Sequence, residues 1–232
     1  PMADPRLAKL AQLIAEYSVS IKRGDRVYIN GTTAAAPLIL ELNRAIVAAG
    51  GNVFPIIEVP GTQPMLFELG TDDQLTWVAE PFKLVVDTFD VRIAIASAVN
   101  TKELSGVDPA KQALRSRASR EVMQSFMDRS ASGALRWNVC MFPTDAYAQD
   151  AEMSLSDFED FVYGACLCDQ PDPVAAWREV GRKQQILVDY LKGKKEVHLV
   201  GEGTDVTVGI DGRAFVNCSG DKNMPDGEVF TG

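Results

Sequence analysis

The densest set of groups able to do chemistry lies in residues 217–232, Asn217-Cys-Ser-Gly-Asp-Lys-Asn-Met-Pro-Asp-Gly-Glu-Val-Phe-Thr-Gly232. Gly, Pro, Asn and Asp dominate the stretch, so it reads as a loop, and loops held on a rigid scaffold are where function concentrates. Within it Pro225-Asp226-Gly227 is an ordinary tight-turn sequence. The functional alternative is that the turn holds Glu228 at a fixed angle as a hard oxygen ligand for a divalent cation. Composition alone favours the turn.

Other candidates carry weaker signals. Cys166-x-Cys168 falls at the end of an expected helix, and with only Cys140, Cys218 and the single His198 elsewhere there is no second pair at zinc-site spacing. Buried thiols are the default for all of them. His198 sits in an alternating strand-like run with no triad partner nearby in sequence, so it carries no catalytic assignment. The acidic run Asp145, Asp150, Glu152, Asp157, Glu159 and Asp160 reads as a solvated helix face and helix start before it reads as a cation site. Gly201-x-Gly203 lacks the third glycine and the following helix of a dinucleotide fingerprint, so it reads as a hairpin turn. Gly31-Thr32-Thr33 is the better anion candidate, placed where a strand gives way to helix N–H groups, although plain N-capping by threonine is the commoner explanation of such a sequence.

These groups must be positioned by regular elements. Asp4-Pro5, Asp108-Pro109 and Asp172-Pro173 each pair a capping carboxylate with a proline whose missing N–H is harmless at a helix start. The first of these helices carries Leu7, Leu10, Ile14 and Tyr17 on one face, the third Trp177, Val180, Leu187 and Leu191. Apolar runs at residues 26–30, 52–57, 91–96 and 137–142 read as buried strands, and helical stretches are expected at 33–49, 72–88 and 108–131 between them. Gly50-Gly51 supplies a helix stop. Strand–helix alternation implies a parallel sheet with right-handed crossovers. Residues 144–193 read as helical throughout, with Ser154 and Asp157 as a capping box. The period then becomes two: a hairpin over 196–210 and a short strand at 214–217 look like the start of another sheet. The expected fold class is therefore α/β, a Rossmann-like mostly parallel sheet with flanking helices in residues 1–193, followed at 194–232 by the first antiparallel strands of a second domain.

Composition narrows the partners. In 232 residues, 32 acidic against 23 basic side chains give a net charge of −9, a field that repels nucleic acid and anionic lipid. With 46% hydrophobic and 24% charged residues the chain has the makings of a packed core, and no apolar run approaches a membrane span. Nothing at Pro1-Met2-Ala3 reads as a secretory signal, the leading proline resembles a tag remnant, and four unpatterned cysteines fit a reducing cytoplasm. Two matches to the glycosylation pattern, at Asn30 and Asn217, carry no weight in that compartment.

Asn223-Met-Pro-Asp-Gly-Glu-Val-Phe-Thr231 closely resembles the first metal-ligand motif of the thermophilic aminopeptidases, the aminopeptidase T type of metallopeptidase. Phe142-Pro-Thr-Asp-Ala-Tyr-Ala-Gln, Met153-Ser-Leu through Glu159-Asp-Phe, Asp172-Pro-Val-Ala-Ala-Trp-Arg178 and Val197-His-Leu-Val-Gly-Glu-Gly-Thr-Asp205 are similar to the same family, in the same order. The resemblance implies an amino-terminal α/β domain followed by a catalytic domain that binds two divalent ions, cobalt, zinc or magnesium, through carboxylates and histidines. It places Glu228 as the first of those ligands, with Asp226 and Asp221 adding at most weak oxygens. It also implies peptide substrates and a cytoplasmic homodimer. The family's remaining ligands fall beyond Gly232, so the chain is expected to be an amino-terminal region, inactive by itself. Two non-catalytic alternatives remain: a small-ligand binder at the strand ends near Gly31–Thr33, and an interaction module that shapes a partner's cavity.

Overall fold

A computed structural model describes residues 4–232; Pro1, Met2 and Ala3, with the tag and signal readings that fall on them, lie outside the described residues. The three Asp-Pro starts behave as their chemistry dictates. Asp4 accepts from Arg6 N at 2.8 Å to begin α1 (Pro5–Leu13), Asp108 from Ala110 N at 2.8 Å to begin α6 (Pro109–Ala118), and Asp172 from Ala175 N at 2.9 Å to begin α10 (Pro173–Leu191). Past α1 the chain continues through a π-helical turn, Ile14–Ser18, which keeps Ile14 fully buried and Tyr17 packed on the core.

The apolar runs form the sheet. β1 (Arg26–Thr32), β2 (Asn52–Glu58), β3 (Val91–Ala96) and β4 (Arg136–Met141) pair in parallel in the order β2-β1-β3-β4, within a residue or two of the expected bounds. One face carries the larger core. There α1, the π-turn, α2 (Ala36–Ala48), α9 (Leu155–Ala165) and the first half of α10 pack Leu10, Ile14, Leu38, Leu42, Tyr163 and Trp177 against Val27, Ile29, Ile93 and Cys140. On the other face Tyr28 is covered by Val85 and Val86 of α5 (Glu80–Thr88), Val122 of α7 (Arg120–Ala131) and Leu135.

Several helical expectations prove too long. Residues 72–88 divide into α4 (Asp72–Thr76) and α5 because Pro81 is tolerated only in a helix's first turn, so a new helix starts at Glu80. Residues 108–131 divide at Ser119; α6 lies on α4 whereas α7 lies on α5, and one straight rod cannot meet both. Residues 144–193 form α8 (Asp145–Asp150), α9 and α10, separated where Glu152 and Leu167 take positive φ and where Pro171 precedes the Asp172 cap. A helix at Thr62–Leu69, α3, was not foreseen. On α10 the expected apolar stripe holds only at its start: Trp177 is buried, whereas Leu187 is 46% exposed.

The antiparallel part follows the period-two reading. β5 (Glu196–Gly201) and β6 (Thr204–Gly209) form the hairpin around Glu202-Gly203, with the glycine at φ +68°. The following strand starts later than expected, as β7 (Val216–Cys218), and pairs with β9 (Glu228–Phe230) instead of with the hairpin. Between them β8 (Asn223–Met224) adds a fifth parallel strand to the main sheet beside β4, with Asn223 opposite Val139 and Met224 opposite Cys140. Met224 is 1% exposed and belongs to the larger core. Met224→Ala is expected to cost about 2–5 kcal/mol, the range for truncating a buried methionine; the measurement is the urea midpoint at unchanged slope.

Candidate metal centre

The antiparallel pairing of β7 with β9 sets Cys218 directly opposite Glu228. Opposite residues in such a pair project from the same face, their Cβ atoms about 5 Å apart. Asp226 enters from the intervening loop. Gly220, at φ +96° where a side chain would be strained, donates its N–H to Asp226 Oδ2 at 3.1 Å, and Gly227 N donates to Cys218 O at 3.1 Å. The sulfur of Cys218 and one carboxylate oxygen from each of Asp226 and Glu228 consequently lie within 4.8 Å of one another. Among the described residues this is the one convergence of three such donors.

The loop is bolted to the main core on several sides. Tyr17 donates its hydroxyl proton to Ser219 O at 2.8 Å, Gln184 Nε2 to Cys218 O at 3.3 Å, and Asn217 Nδ2 to Gly181 O at 2.9 Å. Gly220 is pressed so closely onto the interior that an added Cβ would stand 2.8 Å from Met224 Cε and 3.2 Å from Trp177 Cε3. Underneath, Trp177 is fixed by its indole N–H to Cys166 O at 2.9 Å.

The electrostatics are those of an anionic cluster. Burial pushes the Asp226 carboxyl up; the Gly220 and Gly227 N–H groups oppose this, and Asp221 and Glu228 add to it. Burial likewise raises the Cys218 thiol, as do Asp226, Glu228 and Asp221, with Lys222 pulling weakly the other way. Crowded carboxylates around a thiol gain most from a divalent cation, and two carboxylate donors with one sulfur are a workable ligand set for one. The residues present therefore fit one ion.

Glu228, the sequence candidate, thus stands with two partners. Asp226 is a closer companion than the sequence implied, and Cys218 was missed because its pairing with Glu228 depends on a strand register that spacing does not reveal. The other thiols follow the default reading. Cys140, Cys166 and Cys168 are buried, and desolvation pushes the first and last up to about 12. His198 Nε2 meets Asp205 Oδ1 at 2.7 Å on the exposed hairpin, remote in chain and environment from a formed pocket. The acidic run disperses into local tasks: Asp150 faces Lys102, Asp160 faces Arg6, and Asp157 holds Ser154. At the Gly31 junction Thr32 Oγ1 donates to Ser97 O at 2.7 Å and accepts from Ala34 N at 3.2 Å, which is the capping alternative.

Residues 3–232 match the family model described as thermophilic metalloprotease (M29). The chain belongs to the M29 family. This M29 chain is 24% identical over 247 residues to aminopeptidase T of Thermus thermophilus, covering 97% of the chain, and 26% identical over 261 residues to aminopeptidase 2 of Geobacillus stearothermophilus, covering 98%. It spans 60% of the length of each of these relatives. The structure of wild-type AmpT from Thermus thermophilus superposes with a TM-score of 0.78 at 20% identity, over 97% of this chain and 61% of that one, so the two share a fold. Metal dependence is a property of the M29 family as described, and the Cys218, Asp226 and Glu228 cluster is where this chain's described donors converge. Gly220→Ala is expected to destabilise the M29 chain by about 1–3 kcal/mol, since it combines backbone strain with a contact against Met224 and Trp177; the denaturation midpoint monitors it.

Proposed function

We propose that the chain is the amino-terminal part of a two-metal aminopeptidase, with an α/β domain at 1–193 and the start of the catalytic domain at 194–232. The observation that carries the reading is the convergence of Glu228, Asp226 and Cys218 in a member of a metalloprotease family whose named relatives are aminopeptidases. Peptides with a free amino end are the proposed substrates, and a cytoplasmic homodimer is the proposed form of the whole enzyme.

In this reading Glu228 is the first carboxylate ligand, held at its angle by its strand pairing with Cys218 and by the turn before it. A divalent ion held by Glu228, Asp226 and Cys218 would supply a water of lowered pKa and polarise the scissile carbonyl. The chain's own contribution is placement. The Gly220 N–H holds Asp226 through its Oδ2, while the Tyr17, Gln184 and Asn217 bonds hold the loop against displacement. Among the described residues no second group of three donors is present, so further ligands are required for a second ion and for catalysis. The native metal is proposed to be cobalt, zinc or magnesium.

The test is peptide hydrolysis with added cobalt or zinc, comparing this chain, a form extended by the natural downstream sequence, and the extended form carrying Glu228→Ala. Release of amino-terminal residues by the extended form alone is expected, with Glu228→Ala lowering it by more than about 100-fold, since even residues that merely support a ligand cost 10–100-fold. An extended form that is inactive, or indifferent to Glu228, would refute the reading.

A further inference from the structure

We infer that Cys218 is a metal ligand, a sulfur donor that joins Glu228 and Asp226 on one ion and biases this site toward zinc-type over magnesium-type cations. The inference rests on the metal-centre reading above and goes beyond it by adding a residue and a selectivity.

Three observations carry it. First, the donor atoms are already gathered: the Cys218 sulfur and the two carboxylate oxygens lie within 4.8 Å of one another, a spacing that small side-chain rotations close onto an ion with bonds of about 2.0–2.3 Å. Second, Cys218 differs in environment from the other three cysteines. Cys140, Cys166 and Cys168 are packed in the apolar core, whereas Cys218 is half-buried on the strand opposite the exposed Glu228. Third, its backbone is held in place by hydrogen bonds and strand pairing. Cys218 O accepts from Gly227 N and from Gln184 Nε2, and the residue sits in register opposite Glu228. A side chain placed this way by the same strand pair that places the proposed ligand is organised for the same ion.

The chemistry follows from donor softness. A set made only of carboxylates accepts magnesium as readily as other hard ions, whereas a thiolate favours zinc and its like. Binding forms a metal–sulfur bond and transfers the thiol proton to solvent, with no change of oxidation state. The site would therefore bind cobalt or zinc in the presence of excess magnesium.

Cobalt(II) added anaerobically to the 232-residue chain provides the test, because a cobalt–thiolate bond has a charge-transfer absorption in the near ultraviolet that oxygen ligands do not produce. The wild-type chain is expected to develop this band despite excess magnesium, Cys218→Ser to lose it, and Glu228→Ala to lose tight cobalt binding. Circular dichroism checks that the variants fold. X-ray absorption on the zinc-loaded wild-type chain asks the same question without any variant, and a sulfur neighbour at about 2.3 Å is expected. Cobalt bound in a Glu228-dependent way with no sulfur band and no sulfur neighbour would overturn the role of Cys218 while leaving the metal-centre reading intact. Absence of cobalt binding to the wild-type chain would overturn both.

Discussion

Two residues of backbone pairing, Asn223 and Met224 against Val139 and Cys140, hold the chemistry-bearing loop to the rest of the molecule. Val139 N donates to Lys222 O at 2.8 Å, and the Met224 side chain closes the large core beside Trp177 and Tyr17. Everything on either side of that short strand inherits its position. Upstream, Ser219 and Gly220 can approach Tyr17 and Trp177 because the chain is already committed to the sheet edge. Downstream, the turn at Asp226 delivers Glu228 back across Cys218. A loop rich in Gly, Asp and Asn would otherwise be among the least determined parts of a fold; here buried apolar contact fixes it.

The arrangement sets stability against ligand chemistry. Packing brings Asp226, Glu228 and Cys218 together, and the same packing leaves carboxyl groups crowded with only two backbone N–H groups offered to Asp226. Several carboxylates elsewhere have basic partners. Asp25 takes the Arg136 guanidinium at 2.7 Å, Asp4 takes Arg6 at 2.7 Å, and Asp90 takes Arg26 at 3.3 Å. Among the described residues neither Asp226 nor Glu228 has an ion-pair partner, so their counter-charge is suited to arrive from solution.

Much of this was legible in the sequence because single residues carried it. The Asp-Pro pairs specify helix starts through local hydrogen bonding, and β-rich apolar runs specify buried parallel strands through burial on both faces. Composition alone read the loop around Glu228 as a turn, and only the resemblance to the thermophilic aminopeptidases set that residue apart. What could not be read was anything that depends on which distant element lies alongside. The division at Ser119 reflects two different packing partners. The exposure of Leu187 shows that β7 and β9, which pack on α10, leave that side chain uncovered. Met224 looked like part of a loop, and its role as a core residue follows from a strand of two residues, too short to leave a period. Cys218 belonged, by type alone, with the buried thiols; only the register of β7 on β9 separates it from them.

The Tyr17–Ser219 hydrogen bond joins residues 202 positions apart, and this orders events during synthesis. A ribosome delivers β1 through β4 and the helices between them long before Ser219 emerges, so the sheet forms first with its β4 edge bare. The loop then docks on a finished surface. The Cys218, Asp226 and Glu228 donors therefore come together only once the scaffold beneath them is complete.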